Sequence, residues 1–334
     1  MPFFCDGLSV AKGILTDEQQ ILFLGELMPV KIPSKLPAFD VLQKENIFTM
    51  DSTRADTQDI RPLRLAVLNL MPDKVSTETQ ILRLIANTPL QVEVVFLCTG
   101  SYKPTHTDER HLKAFYHTFE EVFVKNTKFD ALIITGAPVE KLEFSEVSYW
   151  AELSRILAWA EHNVYSSLYI CWAAQAALYY HYGINKKEMR EKIFGLFPHK
   201  VLDKTNPLVR GFDDVFIAPH SRHTEIDAEK IANHQELDLL AVSDEAGLYL
   251  AAAKNLRRVF AFGHGEYDKE TLHNEYTRDL ERGLKTAMPK HYYVNDSVGS
   301  LPPITWRAHE SLLISNWLNY CVYQATPFDI EAIK

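Results

Sequence analysis

YSSLYICWAAQAALYYHYG, residues Tyr165–Gly183, is the stretch that decides how the chain folds. Its apolar run from Leu168 to Ile170 predicts a buried strand, and the alanine-rich segment after Cys171 predicts a helix. A strand that turns sharply into a helix places the turn residue at the carboxyl edge of a sheet, beside the first N–H groups of the helix. A thiol at Cys171 would gain thiolate character there, and the backbone N–H of Trp172 could stabilise an oxyanion.

A second interpretation of Cys171 stays open on this stretch alone. Free cysteines are most often small buried hydrophobes. No glycine flanks Cys171, although the usual nucleophile-elbow pattern has glycines on both sides. The local residues therefore allow either a nucleophile or a core thiol.

Strand-like and helix-like segments alternate along the chain. Buried strands are predicted at 63–72, 90–97 and 129–138, with helices after them at 73–88, 111–123 and 146–162. Alternation in this order predicts a doubly wound, mainly parallel α/β sheet, with functional residues collected at the carboxyl ends of the strands. Later elements are predicted as strands at 215–218, 247–253 and 259–267 and as a C-terminal helix at 311–323.

The composition excludes several classes of protein. With 334 residues and 46% hydrophobic content the chain can bury a substantial core. A net charge of −9, spread along the chain, argues against nucleic-acid binding, so any anionic ligand would need a local basic pocket. No apolar run reaches the roughly 20 residues of a membrane span. Four cysteines without CxxC spacing predict reduced thiols, no structural metal site and a cytoplasmic location.

The N-terminal region differs from the rest of the chain. Residues 1–27 make a poor signal peptide and are interpreted as an extension, expected to be poorly ordered, with Met28 an alternative start. Prolines at positions 29, 33 and 37 predict an extended arm over 28–60. We therefore expect one α/β domain over 28–334. Apolar surface on the arm and the C-terminal helix would permit a homodimer.

A base for Cys171 is suggested by VFAFGHGEY, residues 259–267. His264 follows a predicted strand between two glycines, and Glu266 is placed to accept a hydrogen bond from one imidazole nitrogen while the other faces the thiol. The alternative is an exposed strand end in which both side chains are merely polar.

Longer motifs resemble a known family. DIRPLRLAVLNLMP, TETQILRLIANTPLQV, LIITGAP, ICWAAQAALYYHYGI, APHSR, GHGEY and NWLNYCVYQATPFDI are similar to the homoserine O-acyltransferases, from Met28 almost to the end. The resemblance implies a class I glutamine amidotransferase-like (flavodoxin-like) α/β fold. It also implies transfer of an acyl group from an acyl-CoA co-substrate to L-homoserine, on the route to methionine, without a cofactor or metal.

The resemblance assigns roles to residues of this chain. Cys171, His264 and Glu266 fall on the catalytic positions of the family, in ICWAAQ and GHGEY. The family usually has proline where this chain has Gly265, and glycine is expected to loosen that turn. Substrate contacts fall on Lys192, Ser221 and Arg278, and acceptor specificity on Arg222. An arginine can hold a carboxylate in bidentate fashion, although each of these residues could equally be ordinary surface charge.

The acyl donor depends on Glu140, which follows TGAPV. Family members that use succinyl-CoA resemble one another in having glycine there, whereas acetyl-using members have glutamate. A carboxylate would fill the volume of a succinyl tail and repel its charge, so acetyl-CoA is favoured.

Four alternatives remain at the level of sequence: a succinyl-CoA donor, L-serine as acceptor, a glutamine amidohydrolase, and a catalytically silent binding homologue. One methylene separates serine from homoserine, and it is worth only about 1–3 kcal/mol of binding discrimination. A glutamine amidohydrolase would use the same Cys-His-Glu chemistry, but its nucleophile is expected between glycines.

Overall fold

The computed structural model describes residues 30–33, 35–45, 49–50, 61–101 and 107–333. The predicted extension at 1–27 and the alternative start at Met28 lie outside the described residues.

Within the described residues one mixed sheet contains twelve strands. They are β1 Val30–Lys31, β2 Thr49–Met50, β3 Leu63–Leu68, β4 Val92–Cys98, β5 Tyr116–Thr118, β6 Phe129–Ile134, β7 Val164–Ile170, β8 Lys187–Val201, β9 Val215–Glu225, β10 Leu237–Ser243, β11 Gly247–Ala253 and β12 Arg258–Ala261. The α-helices of the same residues are α1 Pro37–Lys44, α2 Lys74–Ile85, α3 Glu109–Phe115, α4 Phe119–Val124, α5 Trp150–Asn163, α6 Trp172–Tyr182, α7 Ala228–Ala232, α8 Thr271–Glu281 and α9 Arg307–Asn316.

The sheet has a parallel half and an antiparallel half. Strands run in the order β2-β1-β4-β3-β6-β7-β12-β11-β10-β8-β9, with β5 beside β4. All pairs from β2 to β12 are parallel, and the pairs from β12 through β11, β10 and β8 to β9 are antiparallel. The predicted doubly wound, mainly parallel sheet is confirmed.

Helices cover both faces of the sheet. Alternate residues of β3 enter two different cores, with Leu65 and Val67 on one face and Ala66 and Leu68 on the other. α1, α2 and α9 pack on the first face, and α4, α5 and α6 pack on the second. Burial of the strands on both sides explains why they are continuous apolar runs in the sequence.

The expectation of an extended arm over 28–60 is wrong for part of it. Pro37–Lys44 forms α1, with Pro37 in the first turn, where its missing N–H is not needed. Ala38 and Leu42 of this helix are fully buried. Proline spacing alone cannot distinguish an extended arm from a proline-initiated helix.

Two further segments differ from their predicted structure, and others had no predicted structure. The helix predicted at 111–123 is broken by β5, because a capping box between Thr118 and Glu121 starts a new helix there. The C-terminal helix begins earlier, at Arg307, and continues as a π-helix over Trp317–Tyr323. β8, β10 and α8 were not predicted.

No helix in the part of the chain that the structure describes is long and apolar enough to cross a membrane. Nor does any group of three or more His, Cys, Asp or Glu side chains among those residues form a candidate metal site.

Candidate active site

Cys171 occupies a strained turn between β7 and α6. Its backbone has φ 54° and ψ −112°, a conformation that costs a residue with a side chain on the order of 1–3 kcal/mol. Its N–H donates to Ala261 O of β12 at 2.7 Å, which ties the turn to the neighbouring strand. Strain of this kind persists only where the surrounding structure enforces it, and a strained strand-to-helix turn is the backbone geometry that a nucleophile elbow has, here without flanking glycines.

The surroundings of the thiol suit an oxyanion. The N–H groups of Ala174 and Gln175 donate to Cys171 O, so the helix begins at the cysteine. The Trp172 N–H lies in the first turn, where backbone donors have no acceptor within the helix. On the other side, a Cβ added to Gly136 would lie 3.4 Å from Cys171 Cβ and 3.8 Å from His264 Cε1. Glycine therefore keeps a gap open between the two side chains.

His264 reaches Cys171 because their strands are neighbours. β7 and β12 are parallel, with Ile170 opposite Ala261, so the residues after both strand ends meet at the same edge. His264 Nδ1 lies 2.7 Å from Glu266 Oε1, and both side chains are buried. The structure thus brings together the three residues that the sequence proposed as a triad.

The electrostatics favour a protonated histidine. Burial alone would lower the pKa of His264, but the charges of Cys171 and Glu266 and its hydrogen bonds to them raise it well above its usual value. A histidine that holds its proton beside a cysteine stabilises the thiolate. The Tyr267 ring stacks on the imidazole at 4.2 Å between centroids and helps to fix its plane.

The turn at Gly265 is not loose, contrary to the expectation from sequence. A Cβ added to Gly265 would lie 2.2 Å from Glu310 Cγ and 2.4 Å from Glu310 Cβ. Glu310 is a buried residue of α9, outside every motif considered above. Glycine stands at this position because another side chain occupies the space, so the turn is tightly packed.

We expect Gly265→Ala to lower the free energy of unfolding by about 1–3 kcal/mol, as overpacking of a filled core does. Side-chain rotation cannot relieve the overlap, because one of the opposing atoms is Glu310 Cβ. The urea midpoint of the purified variant measures the effect. Gly100→Ala is the matched control, since its added Cβ would meet its nearest neighbour, Glu152 Oε1, at an ordinary 3.8 Å. Equal midpoints for both variants would contradict the packing argument.

The predicted substrate residues converge on one carboxylate. Glu275 Oε1 accepts from Lys192 Nζ at 2.6 Å and from Ser221 Oγ at 2.7 Å, and Arg278 Nη2 lies 3.8 Å away. Asp279 lies 3.5 Å from Lys192 and 2.7 Å from Arg278. Sequence reasoning missed Glu275 and Asp279 because it did not predict α8. Their spacing of four residues, with Arg278 between them, was the available signal.

Glu140 lies in the wall of a cavity that Lys192, Glu275 and Arg278 also line, and it is not an exposed surface acid. The cavity has a volume of about 330 Å³, and its lining includes Glu140, Lys192, Glu275 and Arg278. Glu140 Oε2 accepts from the His223 N–H at 3.0 Å. Burial raises the pKa of this carboxyl group, although the hydrogen bond and the Lys192 charge act in the opposite direction.

Arg222 lies beneath the site and not in the cavity wall. Its side chain is fully buried, and its guanidinium donates to Ala246 O and contacts His220 Nδ1. Burial lowers the pKa of Arg222, and the nearby charges of Cys171 and Glu140 counter this. The residue is therefore placed to influence the site through its charge.

Comparisons with known proteins point to one family. The sequence model of a family described as homoserine O-succinyltransferase matches residues 29–328. A homoserine O-acetyltransferase of Acetivibrio thermocellus is 56% identical over 307 residues, which cover 92% of this chain and all of that protein. Proteins of the same name from Clostridium beijerinckii and Brevibacillus brevis are each 54% identical over 92% of this chain and all of their own length.

Solved structures show a similar fold at low sequence identity. A glutamine amidotransferase from Thermotoga maritima has a TM-score of 0.52 and 10% identity, over 78% of this chain and 98% of its own. A glutamine amidotransferase from Methylobacillus flagellatus also has a TM-score of 0.52, with 9% identity over 78% of this chain and 95% of its own. The glutamine amidotransferase-like fold predicted from the sequence is confirmed.

Proposed function

The chain belongs to the homoserine O-succinyltransferase family and is an acyltransferase, and on this premise we propose that it transfers the acetyl group of acetyl-CoA to the hydroxyl of L-homoserine. The observation that carries the proposal is the Cys171–His264–Glu266 constellation, together with Glu140, which lines the substrate cavity and is close enough to His264 for their charges to interact. The names of the most similar relatives support the same donor and acceptor.

In the first half-reaction Cys171 Sγ attacks the carbonyl carbon of the acetyl thioester. The negative charge that develops on the carbonyl oxygen is stabilised by the Trp172 N–H and by a second N–H from the turn at Gly136. The bond from the carbonyl carbon to the CoA sulfur then breaks. His264, oriented by Glu266, donates a proton to the departing sulfur, so coenzyme A leaves as the thiol and Cys171 carries the acetyl group.

In the second half-reaction the hydroxyl of L-homoserine gives its proton to His264, and its oxygen attacks the acetyl-cysteine. The Cys171 thiolate is released together with O-acetylhomoserine. Lys192 and Arg278 supply positive charge for the carboxylate of the amino acid, and Ser221 supplies a hydroxyl. Glu275, which these side chains contact in the free enzyme, is placed to bind the ammonium group.

A neighbouring basic cavity suits the co-substrate. It has a volume of about 550 Å³ and shares Lys192 and His223 with the smaller cavity. With Lys192, the lysines and arginine of its lining outnumber the carboxylates there. The further cations are Lys141, Arg190, Lys285 and Lys290, and the carboxylates are Glu188, Glu191 and Asp279. A chain with a net charge of −9 needs such a local concentration of positive charge to hold the phosphates of coenzyme A. No cofactor takes part in the proposed reaction.

Steady-state kinetics with each combination of acetyl-CoA or succinyl-CoA with L-homoserine or L-serine test the proposal. We expect the highest kcat/KM with acetyl-CoA and homoserine, and parallel double-reciprocal lines, since product release precedes binding of the acceptor. With L-serine as acceptor we expect kcat/KM to be roughly 10–200-fold lower, because one methylene group less is bound. Higher kcat/KM with succinyl-CoA would overturn the donor, and ammonia release from glutamine would favour an amidohydrolase.

We further propose that the reaction belongs to methionine biosynthesis and that the protein is cytoplasmic, and the names of the relatives support the acyl transfer to homoserine on which this rests. A homodimer remains a prediction from the apolar surface that the sequence suggests on the arm and the C-terminal helix, although no large hydrophobic side chain of α9 is exposed. Exposed Tyr323, at the end of the π-helical continuation of α9, contributes to this surface.

A further inference from the structure

Two side chains from distant elements are packed against the backbone on either side of His264. A Cβ added to Gly263 would lie 2.5 Å from Tyr249 Cε2, and one added to Gly265 would lie 2.2 Å from Glu310 Cγ. Tyr249 belongs to β11 and Glu310 to α9. Their side chains are joined, because Tyr249 Oη donates to Glu310 Oε2 at 2.6 Å. The glycines of the Gly-His-Gly-Glu turn thus accommodate a hydrogen-bonded pair that clamps the histidine backbone.

Glu310 is a carboxyl group that changes its charge near neutral pH. Its side chain is 4% exposed, and no lysine or arginine among the described residues forms an ion pair with it. Arg307, on the same helix, lies 3.6 Å from Asp268 instead. Burial raises the pKa of Glu310 to about 7; the charge of Glu266 acts in the same direction, while the Tyr249 hydrogen bond and His264 oppose it.

The other titratable groups around this pair keep their charge in that range. His199 of β8 and His220 of β9 pack on the Tyr249 ring, at 4.8 Å and 6.3 Å between centroids. Burial lowers the pKa of His199 to about 3 and that of His220 well below its usual value, so both are neutral. Burial and the Glu310 charge raise the pKa of Tyr249 well above its usual value, so the phenol stays protonated.

We propose that Glu310 is a positioning residue of the triad, which holds the His264 turn through Tyr249 and, on ionising, stabilises the imidazolium form of His264 that faces Cys171. Its relevance to acetyl transfer rests on the proposed function, whereas its effect on the thiol does not.

The sign of the effect follows from the positions of the charges. Glu310 lies against the backbone between His264 and Glu266, and it interacts electrostatically with both. A negative charge nearer to His264 than to Cys171 favours the imidazolium–thiolate pair over the neutral imidazole–thiol pair. Glu310 is neutral below about pH 6 and ionised above about pH 8, so its stabilisation of the His264 imidazolium develops through this interval.

The rate of Cys171 alkylation by iodoacetamide, followed by mass spectrometry of the Cys171 peptide between about pH 5.5 and pH 9, tests the proposal. For the unaltered protein we expect the alkylation rate to rise by about threefold to tenfold, centred near pH 7, where Glu310 ionises. Glu310→Gln mimics the neutral acid, so its alkylation rate should equal that of the unaltered protein below about pH 6 and should not rise near pH 7. Glu236→Gln is the control, because Glu236 is exposed and lines a surface cavity with Arg258, at the amino end of β12. The alkylation rate of this variant should still rise near pH 7.

Tyr249→Phe provides a second variant, which keeps Glu310 but removes its hydrogen bond. Because that bond lowers the pKa of Glu310, its loss should move the rise to higher pH. If Cys171 of the Glu310→Gln variant is alkylated more slowly than in the unaltered protein by the same factor at every pH, Glu310 has only a packing role and the proposal is wrong. The proposal is equally wrong if the rise of the Tyr249→Phe variant is not shifted.

Alkylation requires no acyl-CoA, so its outcome is independent of the donor and acceptor. A protein that fails to transfer acetyl groups but shows the rise near pH 7 would refute the proposed function alone. A protein that transfers acetyl groups but whose Glu310→Gln variant keeps the rise would refute the role of Glu310 alone.

Discussion

Replacing Cys171 by alanine is expected to lower kcat for acetyl transfer by a factor on the order of 10⁴, the scale seen when a covalent nucleophile is removed. The variant retains the histidine, the carboxylate and the cavity, but it has no atom on which to form the acyl intermediate. The strained φ of 54° persists, because the backbone N–H of residue 171 still donates to Ala261 O. We therefore expect a folded protein with normal acetyl-CoA binding and almost no turnover.

Mass spectrometry of the intact protein and of its Cys171 peptide provides the complementary measurement. Protein incubated with acetyl-CoA alone should accumulate one acetyl group on the Cys171 peptide, and Cys171→Ala should accumulate none. Cys98→Ala is a matched control, since Cys98 is a half-buried thiol at the end of β4 whose pKa is raised by burial. A Cys171→Ala variant with undiminished transfer would instead indicate direct attack by the acceptor or a silent site.

Replacing Glu140 by glycine is expected to shift the donor preference towards succinyl-CoA, changing the ratio of kcat/KM values by about 10²–10³-fold. The Glu140 carboxylate is held by the His223 N–H at 3.0 Å and faces the cavity, so a succinyl carboxylate would meet a like charge in a confined space. Removing the side chain frees volume and removes the like charge that the incoming carboxylate would meet. The measurement is kcat/KM for both donors at saturating homoserine.

Glu140→Gln separates charge from volume. It removes the negative charge but keeps the size of the side chain, so it should gain part of the succinyl-CoA activity if repulsion dominates. If only the glycine variant gains activity with succinyl-CoA, the volume of the Glu140 side chain, and not its charge, excludes the succinyl group. If both variants still transfer acetyl groups but neither gains activity with succinyl-CoA, Glu140 does not select the donor.

The triad could be predicted because its position follows from local patterns and one topological rule. Apolar runs of strand length preceded both Cys171 and His264, and parallel neighbours end at the same edge of a sheet. The pairing of β7 with β12 turned two separate strand ends into one site. The resemblance to a family supplied the identity of the reaction, which no periodicity contains.

The surroundings of the triad were less accessible to sequence reasoning. α8 is mostly polar and contains few apolar side chains, so its sequence shows only a weak helical pattern and the helix was not predicted. Glu275 and Asp279, which lie on this helix, were missed for the same reason. The proline-rich arm was predicted as extended, although Pro37 begins a helix that enters the core. In both places the decisive information was the element against which the segment packs.

The sequence by itself predicted the fold class and the sharp turn at Cys171, because hydrophobic periodicity and strand-end position are properties of short segments. Its resemblance to a family assigned Cys171, His264 and Glu266 to the proposed triad. Only the tertiary structure decided why Gly265 is glycine, what Glu310 touches and which carboxylate gathers Lys192, Ser221 and Arg278. These contacts join elements separated by tens of residues, and close packing assigns each volume to a single side chain. The identity of that side chain cannot be inferred from the segment that it contacts.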